Sequence, residues 1–167
     1  MVICDYCGRE IKERDFVRLN GYNLHEMCYN LLIVDYLEAK KLNSSLKWWD
    51  FAKSELLYRR QPSKGINYET IVTKGVLNEI PTETIIRMLE IARKFIDTKI
   101  NLIVFSPYVK DMTYEDEGRT LKYPTPELPK KCYAKLDDFG SPEELSKNIG
   151  YKVNTQYVLT LMLAEEY

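Results

Sequence analysis

The chain has 167 residues, of which 45% are hydrophobic and 29% are charged, and its formal net charge is −1 at pH 7. These values are those of an ordinary soluble globular protein. Because the net charge is close to zero, a global electrostatic attraction to nucleic acid is excluded, and any such site must be a local patch. A chain of this length can bury one core, or form a small finger and one modest domain.

No targeting segment is expected in this sequence. The first residues lack the basic region and apolar stretch of a secretory signal. The longest apolar runs, such as residues 157–164, are too short to span a bilayer. We therefore expect a cytoplasmic protein without a membrane partner, and in that compartment paired cysteines indicate metal binding more often than a disulfide.

The N-terminal stretch carries the clearest motif, Cys4-x2-Cys7, followed by seventeen residues and then His25-x2-Cys28. Two cysteines at this spacing suit one side of a tetrahedral zinc site, with sulfurs about 2.3 Å from the ion. The second pair, which contains the only histidine of the chain, can complete the site. The predicted ligands of one structural Zn²⁺ are Cys4, Cys7, His25 and Cys28. The alternatives are reduced thiols in a small core or a disulfide pair.

The residues between the two ligand pairs predict a β-hairpin. Strand-like runs over residues 15–19 and 22–24 are joined by Asn20-Gly21, which is the strongest two-residue hairpin signal. Gly8 permits a tight turn after the first pair. An apolar, helix-competent segment follows the second pair, so knuckle, hairpin and helix together predict a treble-clef zinc finger.

The spacing Cys-x2-Cys-x17-His-x2-Cys resembles the first zinc module of a LIM domain, and more generally a treble-clef finger. The resemblance covers residues 3–32 and implies the same four ligands. A LIM domain has a second four-ligand module directly after the first, and none follows here. The partner recognition of a LIM tandem therefore does not carry over.

Two helices are predicted after the finger, over residues 26–42 and 46–60, with Asn43-Ser44-Ser45 between them. The second helix has a wide apolar surface that includes Trp48 and Trp49. The first helix, the second domain or a partner must cover such a surface. Residues 46–58 are therefore a candidate protein-binding helix, and the chain is a candidate homodimer.

A basic segment overlaps these helices. Residues 40–65 contain seven basic and two acidic side chains, a local balance of +5. Basic residues interleaved with aromatic ones favour phosphate contact and base stacking, whereas the alternative is an amphipathic helix with core aromatics and solvated lysines. The candidate nucleic-acid-binding residues of this segment are Lys47, Lys53, Arg59, Arg60 and Lys64.

Helix breakers at residues 61–66 predict a linker. The predicted organisation is a finger with its helix (1–43), a basic aromatic helix (44–60), the linker and an α+β domain (67–167). Helices predicted over 68–77 and 82–97 resemble the helix-turn-helix of bacterial and archaeal repressors. That resemblance implies that Thr84 and Arg87 enter the DNA major groove. The alternative is two amphipathic helices that simply pack together.

The remainder of the second domain is predicted to be mixed, with a strand at 100–105, a proline-containing loop at 106–131, a strand at 132–136, a helix at 142–149, a strand at 151–153 and a helix or strand, with helix preferred, at 155–166. The acidic residues at 111–117 are either a solvated loop or a Mg²⁺ site; they are Asp111, Glu115, Asp116 and Glu117. Cys132 is predicted to be a buried or spare thiol, with redox or intermolecular use as the alternative.

The sequence favours binding over catalysis. With its single histidine assigned to zinc, no general base of the usual kind remains, and no glycine-rich phosphate loop or nucleophile motif is present. A zinc ion with four protein ligands has no open coordination position. The predicted fold class is α+β: an N-terminal treble-clef zinc finger followed by a helix-rich α+β domain with a small sheet.

The predicted function is that of a DNA-binding regulator. A protein-interaction module, for example a viral inhibitor of a host complex, is the second hypothesis, and a metal-dependent nuclease built on the acidic loop is the third. The 13 tyrosines and the frequent lysine and isoleucine residues resemble the composition of small proteins from archaeal viruses and phages, which suggests a viral origin.

Overall fold

The structure is a computed structural model that describes residues 1–167. The chain divides into two compact units, Met1–Gln61 and Pro62–Tyr167. It contains five α-helices, a two-stranded hairpin and a six-stranded mixed sheet, which confirms the predicted α+β class. None of the helices combines the length and the apolar character that crossing a membrane requires.

The hairpin of the first unit forms where the sequence predicts it. Strands β1 (Val17–Leu19) and β2 (Tyr22–Leu24) pair in antiparallel fashion. The turn residues Asn20 and Gly21 have φ values of 46° and 88°. Positive φ at both positions is what a type I′ turn requires, and the Asn-Gly pair adopts it at little cost.

Two helices complete the first unit, α1 (Glu26–Leu42) and α2 (Trp48–Arg60). Helix α1 has the predicted bounds, and α2 begins two residues later than predicted. Both carry basic residues in the last turn, where they interact favourably with the helix dipole. The hairpin, α1 and α2 share one core, in which Leu24, Leu32, Phe51 and Leu56 are almost fully buried.

The second unit is built on the mixed sheet. Its elements in chain order are β3 (Glu69–Val72), α3 (Lys74–Glu79), α4 (Thr82–Phe95), β4 (Leu102–Ser106), β5 (Thr113–Glu115), β6 (Thr120–Pro124), β7 (Cys132–Asp138), α5 (Pro142–Ile149) and β8 (Tyr157–Leu163). The strand order is β3-β8-β7-β4-β6-β5. Strands β3 and β8 are parallel, as are β4 and β6, and the other neighbours are antiparallel.

Part of the core of the second unit lies on one face of this sheet. Ile103, Ala134 and Leu161 stand opposite one another on three adjacent strands, and all three are fully buried. Helix α4 buries an apolar face that ends at Phe95, whose ring centroid lies 5.5 Å from that of Tyr123 on β6. The amphipathic pattern predicted for α4 is therefore confirmed as a packing surface.

The helix predicted over residues 68–77 is wrong. Strand β3 occupies residues 69–72, and α3 begins only at Lys74, after Thr73. Both the local sequence and the pairing with a distant strand favour a strand here. Thr70, Ile71 and Val72 are β-branched residues, which favour strands, and they pair with β8.

Three further predictions in the second unit are corrected. The loop predicted over 106–131 contains β5 and β6. No strand forms at residues 151–153, where Val153 instead packs with Leu145 and Val158. The helix preferred over 155–166 is β8 followed by a short 3-10 turn. Because β8 buries side chains on both faces, its sequence shows no alternation of polar and apolar residues.

Candidate metal centre

The four predicted ligands come together in the first unit. The ligand atoms of Cys4, Cys7, His25 and Cys28 all lie within 4.8 Å of one another. Cys4 and Cys28 are buried, and the other two are half-buried. This Cys3His cluster can hold one metal ion, and its donor set is compatible with zinc.

Backbone hydrogen bonds shape the turn that holds the first cysteine pair. The amide of Cys4 donates to the carbonyl oxygen of Arg9 (2.8 Å), and the amide of Gly8 donates to that of Cys4 (2.9 Å). Gly8 has a φ of 78°, a left-handed conformation that glycine adopts without steric cost. The second pair is fixed by α1, because His25 is its N-cap residue and Cys28 lies in its first turn.

The histidine presents a defined nitrogen to the cysteines. His25 Nδ1 lies 3.4 Å from Cys7 Sγ and 3.7 Å from Cys28 Sγ, so Nδ1 is the ring nitrogen that is placed to bind a metal. The opposite nitrogen, Nε2, lies 3.7 Å from a carboxylate oxygen of Glu13. A carboxylate on this side favours the tautomer that leaves Nδ1 free to bind a metal.

The cysteine thiols of the cluster alter one another's pKa values. Burial, together with the neighbouring thiols of Cys4 and Cys7, raises the pKa of the Cys28 thiol to about 12. Burial also acts to raise the pKa of the Cys7 thiol, but the Arg9 backbone and the neighbouring thiols outweigh it and lower that pKa. A divalent cation among the sulfurs would favour the thiolate form of all three cysteines, which is the form that binds metal.

Arg60 of α2 contacts the turn that holds the first cysteine pair, residues 4–8, which we call the knuckle. Its guanidinium donates to Asp5 Oδ1 (2.9 Å) and lies 4.2 Å from the ring centroid of Tyr22. The other oxygen of Asp5 accepts a hydrogen bond from the Asn23 amide (2.8 Å). Asp5 lies between the first two cysteines, so this contact ties the knuckle, the hairpin and α2 together.

Arg59 makes a second contact of the same kind. Its Nε donates to Glu55 (2.7 Å), its Nη1 donates to the carbonyl oxygen of Tyr6 (3.2 Å), and its guanidinium lies 3.7 Å from the Tyr6 ring centroid. The Tyr6 hydroxyl in turn donates to Asp35 on α1 (2.8 Å). We refer to Arg59 and Arg60 with these partners as the arginine clamp of the knuckle.

The predicted nucleic-acid-binding residues are divided between the two units. Lys47, the N-cap residue of α2, is exposed and Lys53 on α2 is half-buried, whereas Thr84 and Arg87 are half-buried on α4. Lys64 lies 3.9 Å from the carboxylate of Asp97. The clamp was not predicted. Its signal in the sequence was the pair of Glu55 and Arg59, which are four residues apart on one helix.

The acidic residues at 111–117 do not form a second metal-holding group. Asp111, Glu115, Asp116 and Glu117 are exposed, and Glu115 forms an ion pair with Lys122 at 2.9 Å. The Cys3His cluster is the one group of three or more histidine, cysteine or acidic residues arranged to hold a metal.

The two tryptophans pack within the first unit. Trp48 makes edge-to-face contacts with Tyr29 and Tyr36 of α1, at centroid distances of 5.9 and 5.5 Å. Trp49 lies 6.2 Å from the Tyr22 ring. The aromatic surface of α2 thus faces α1 and the hairpin.

The largest group of exposed apolar side chains in this unit lies on α1. Four side chains, spaced so that they share one side of the helix, are 46–73% exposed: Met27, Leu31, Val34 and Leu37. We call this set the α1 stripe. The sequence predicted an uncovered apolar surface on the second helix, and the stripe was not predicted. The signal was that α1 is apolar on all sides, and only one side can face its own core.

Comparisons with protein-family models, with curated proteins and with solved structures found no match to this chain.

Proposed function

We propose that the chain is a non-catalytic zinc protein that acts by binding another protein through the α1 stripe. The observation that carries this proposal is the stripe itself. It exposes four large apolar side chains side by side on a single helix, and contiguous apolar surface of this kind marks interaction sites.

The metal centre supports a binding role for the finger. Three thiolates and one imidazole are a donor set that zinc prefers in structural sites. With four protein ligands the ion has no open position, so it would hold the knuckle, hairpin and α1 in place. The metal would thereby fix the helix that carries the stripe.

DNA binding, the first hypothesis from the sequence, is less well supported by the geometry. Arg59 and Arg60 are engaged with acidic and aromatic side chains of their own unit. Their positive charges are therefore already paired within the unit, which makes each a weaker phosphate ligand than an unpaired arginine. DNA binding therefore stays a prediction, and it is the principal competitor of the proposal.

Native mass spectrometry tests the metal. We expect one zinc ion per chain, lost in His25→Ala and retained in the matched thiol control Cys132→Ser, whose sulfur lies in the other unit. A metal-free chain would contradict the zinc assignment.

A titration against labelled duplex and single-stranded DNA at two salt concentrations tests the competitor. We expect no tight, salt-sensitive binding. Binding that weakens steeply with salt and is lost in Lys47→Glu, but not in Val34→Asp, would overturn the protein-binding proposal in favour of nucleic acid.

A further inference from the structure

We propose that the α1 stripe pairs with the α1 stripe of a second copy of this chain, in an antiparallel two-fold arrangement centred on Val34. This inference rests on the proposed function and names the partner that the stripe binds.

The spacing of the stripe is symmetric about its centre. Leu31 lies three residues before Val34, and Leu37 lies three residues after it. In an antiparallel two-fold pair, each Val34 faces the other, and Leu31 of one copy faces Leu37 of the second copy. A surface that is complementary to itself in this way is what a two-fold interface requires, and two-fold dimers are the commonest soluble oligomers.

The charges of α1 favour the same orientation. Its first turn carries the acidic Glu26, and its last turn carries the basic Lys40 and Lys41. An antiparallel pair brings the acidic end of each helix next to the basic end of the other, and it also opposes the two helix dipoles. A parallel pair would instead place Lys41 beside Lys41.

The ends of the stripe fit this register as well. Met27 lies seven residues before Val34 and Lys41 seven residues after it, so each Met27 would face the side chain of Lys41 from the second copy. The aliphatic part of a lysine can cover an apolar side chain while its ammonium group stays in water. Within its own chain that ammonium group lies 3.0 Å from Glu38, in an exposed pair of the kind that contributes little, and in the dimer it would also come close to Glu26 of the second copy.

Helix α1 cannot bury the stripe within its own unit by rotating. Its opposite side is already fixed in the core by Leu32, which is fully buried, and by Cys28, a predicted metal ligand. In addition, the Tyr36 hydroxyl donates a hydrogen bond to the carbonyl oxygen of Leu46 (2.8 Å). The stripe therefore needs a cover from outside this unit.

The interface would be small. One helix on each side is less than the roughly 800 Å² per partner of a standard protein interface. We therefore expect a dimer that dissociates on dilution, and its equilibrium can be followed by sedimentation or light scattering on the zinc-loaded full chain. The mass should rise from one chain towards two as the concentration is raised from micromolar to near-millimolar.

The first variant places like charges at the centre of the interface. Val34→Asp puts two carboxylates opposite each other, so we expect dissociation at least tenfold easier than for the wild type. The matched control is Leu77→Asp on α3, because Leu77 is 60% exposed and Val34 is 54% exposed. The control should dimerise as the wild type does, and both variants should retain one zinc ion.

A charge-pair experiment tests the orientation. Leu31→Glu and Leu37→Lys should each weaken the dimer at least tenfold, because each places charge against an apolar side chain. The double variant should recover most of the affinity, since the introduced carboxylate of one copy faces the introduced amine of the other. The two positions are six residues apart and are not neighbours within one helix, so an internal ion pair cannot produce this recovery.

Two results would overturn the inference. The first is a wild-type mass of one chain at all concentrations, and the second is equal weakening by the α1 variant and the control. If the chain is a monomer and Val34→Asp raises hydrogen exchange in residues 62–167, the second unit covers the stripe. If the chain is a monomer and does not bind DNA, the proposed function still holds, and the partner of the stripe is a different protein.

Discussion

Asp5 joins three elements of the first unit through one carboxylate, which accepts hydrogen bonds from the Asn23 amide and from Arg60. We predict that Asp5→Ala lowers the free energy of unfolding of the first unit by about 2 kcal/mol, because it removes a charged hydrogen bond to a backbone amide. Arg60→Ala should cost less than about 1 kcal/mol, since that side chain is half exposed and its ion pair is screened by water. Denaturant unfolding followed by tryptophan fluorescence measures both.

The conservative change Asp5→Asn is the control for this prediction. It keeps an acceptor oxygen for the Asn23 amide and removes only the charge. It should recover at least half of the stability lost in Asp5→Ala. If Asn and Ala are equally destabilising, the ion pair with Arg60, and not the bond to the hairpin, is the dominant contact.

Cys132 is buried in the sheet of the second unit, and its thiol should be unreactive. Burial, helped by the charges of Glu166 and Glu79, raises its pKa from 9.0 to about 12. The protonated thiol is therefore favoured in the folded state, so its contribution to stability is complete below pH 9 and is lost as the pH rises towards 12.

The rate at which iodoacetamide alkylates the zinc-loaded protein at pH 8 measures the reactivity of the Cys132 thiol. We expect Cys132 to be modified at least tenfold more slowly than after unfolding in denaturant, where its thiol returns to its ordinary pKa. Modification at the same rate in both states would support the redox alternative for this residue.

Helix α3 is held at its start by the last turn of the described chain. A Glu166 oxygen accepts from the Thr73 hydroxyl (2.7 Å) and from the Leu163 amide (2.8 Å), and the Gly75 amide also binds this carboxylate. The hydrogen bonds lower the pKa of Glu166 below its ordinary 4.5. The stabilisation that ionised Glu166 contributes to the fold is therefore present above pH 4.5 and is lost as the pH falls through its lowered pKa.

We predict that Glu166→Gln speeds amide hydrogen exchange in α3 at neutral pH, and that acid produces the same loosening in the wild type. Glu165→Gln is the matched control. Glu165 forms an exposed ion pair with Lys130 (2.9 Å), and such pairs contribute little. Equal effects of the two variants would show that the net charge of the turn, and not the hydrogen bonds of Glu166, holds the helix.

The elements that the sequence predicts well are those whose determinants lie close together in the chain. The Asn20-Gly21 turn, the bounds of α1 and the four metal ligands all depend on spacings within the first 42 residues. A helix was predicted across β3 and was preferred to a strand for the region of β8, because each of these strands is defined by pairing with the other, as Glu69 pairs with Val158. The arginine clamp was not predicted either, because its partners are distant in sequence: Asp5 and Arg60 are 55 residues apart.

We expect the two units to depend on the metal to different degrees. All four ligands and both tryptophans belong to the first unit, whose core includes Cys4 and Cys28. We predict that a strong chelator unfolds residues 1–61 and shifts the tryptophan emission to longer wavelength, because small metal-held folds lose their structure with the metal. The second unit has its own buried core and should keep its sheet.

Hydrogen exchange of the chelated and zinc-loaded full chain separates the two units. Protection should be lost in the first 61 residues and retained in the strands of the second unit, and zinc should restore it. Simultaneous loss of protection in both units would show that the second depends on the first. Full protection of both would contradict a structural role for the metal.

The position of β8 in the sheet has a consequence for how the chain is made. This strand is the last of the eight to leave the ribosome, yet it lies between β3 and β7 and is the only described neighbour of β3. The metal-binding unit precedes the sheet in the chain, so its contacts can form before the sheet is complete. The sheet cannot be completed at that stage, because β3 has no partner until β8 has been synthesised. Slow translation of the last strand would therefore prolong the period in which nascent chains are open to aggregation.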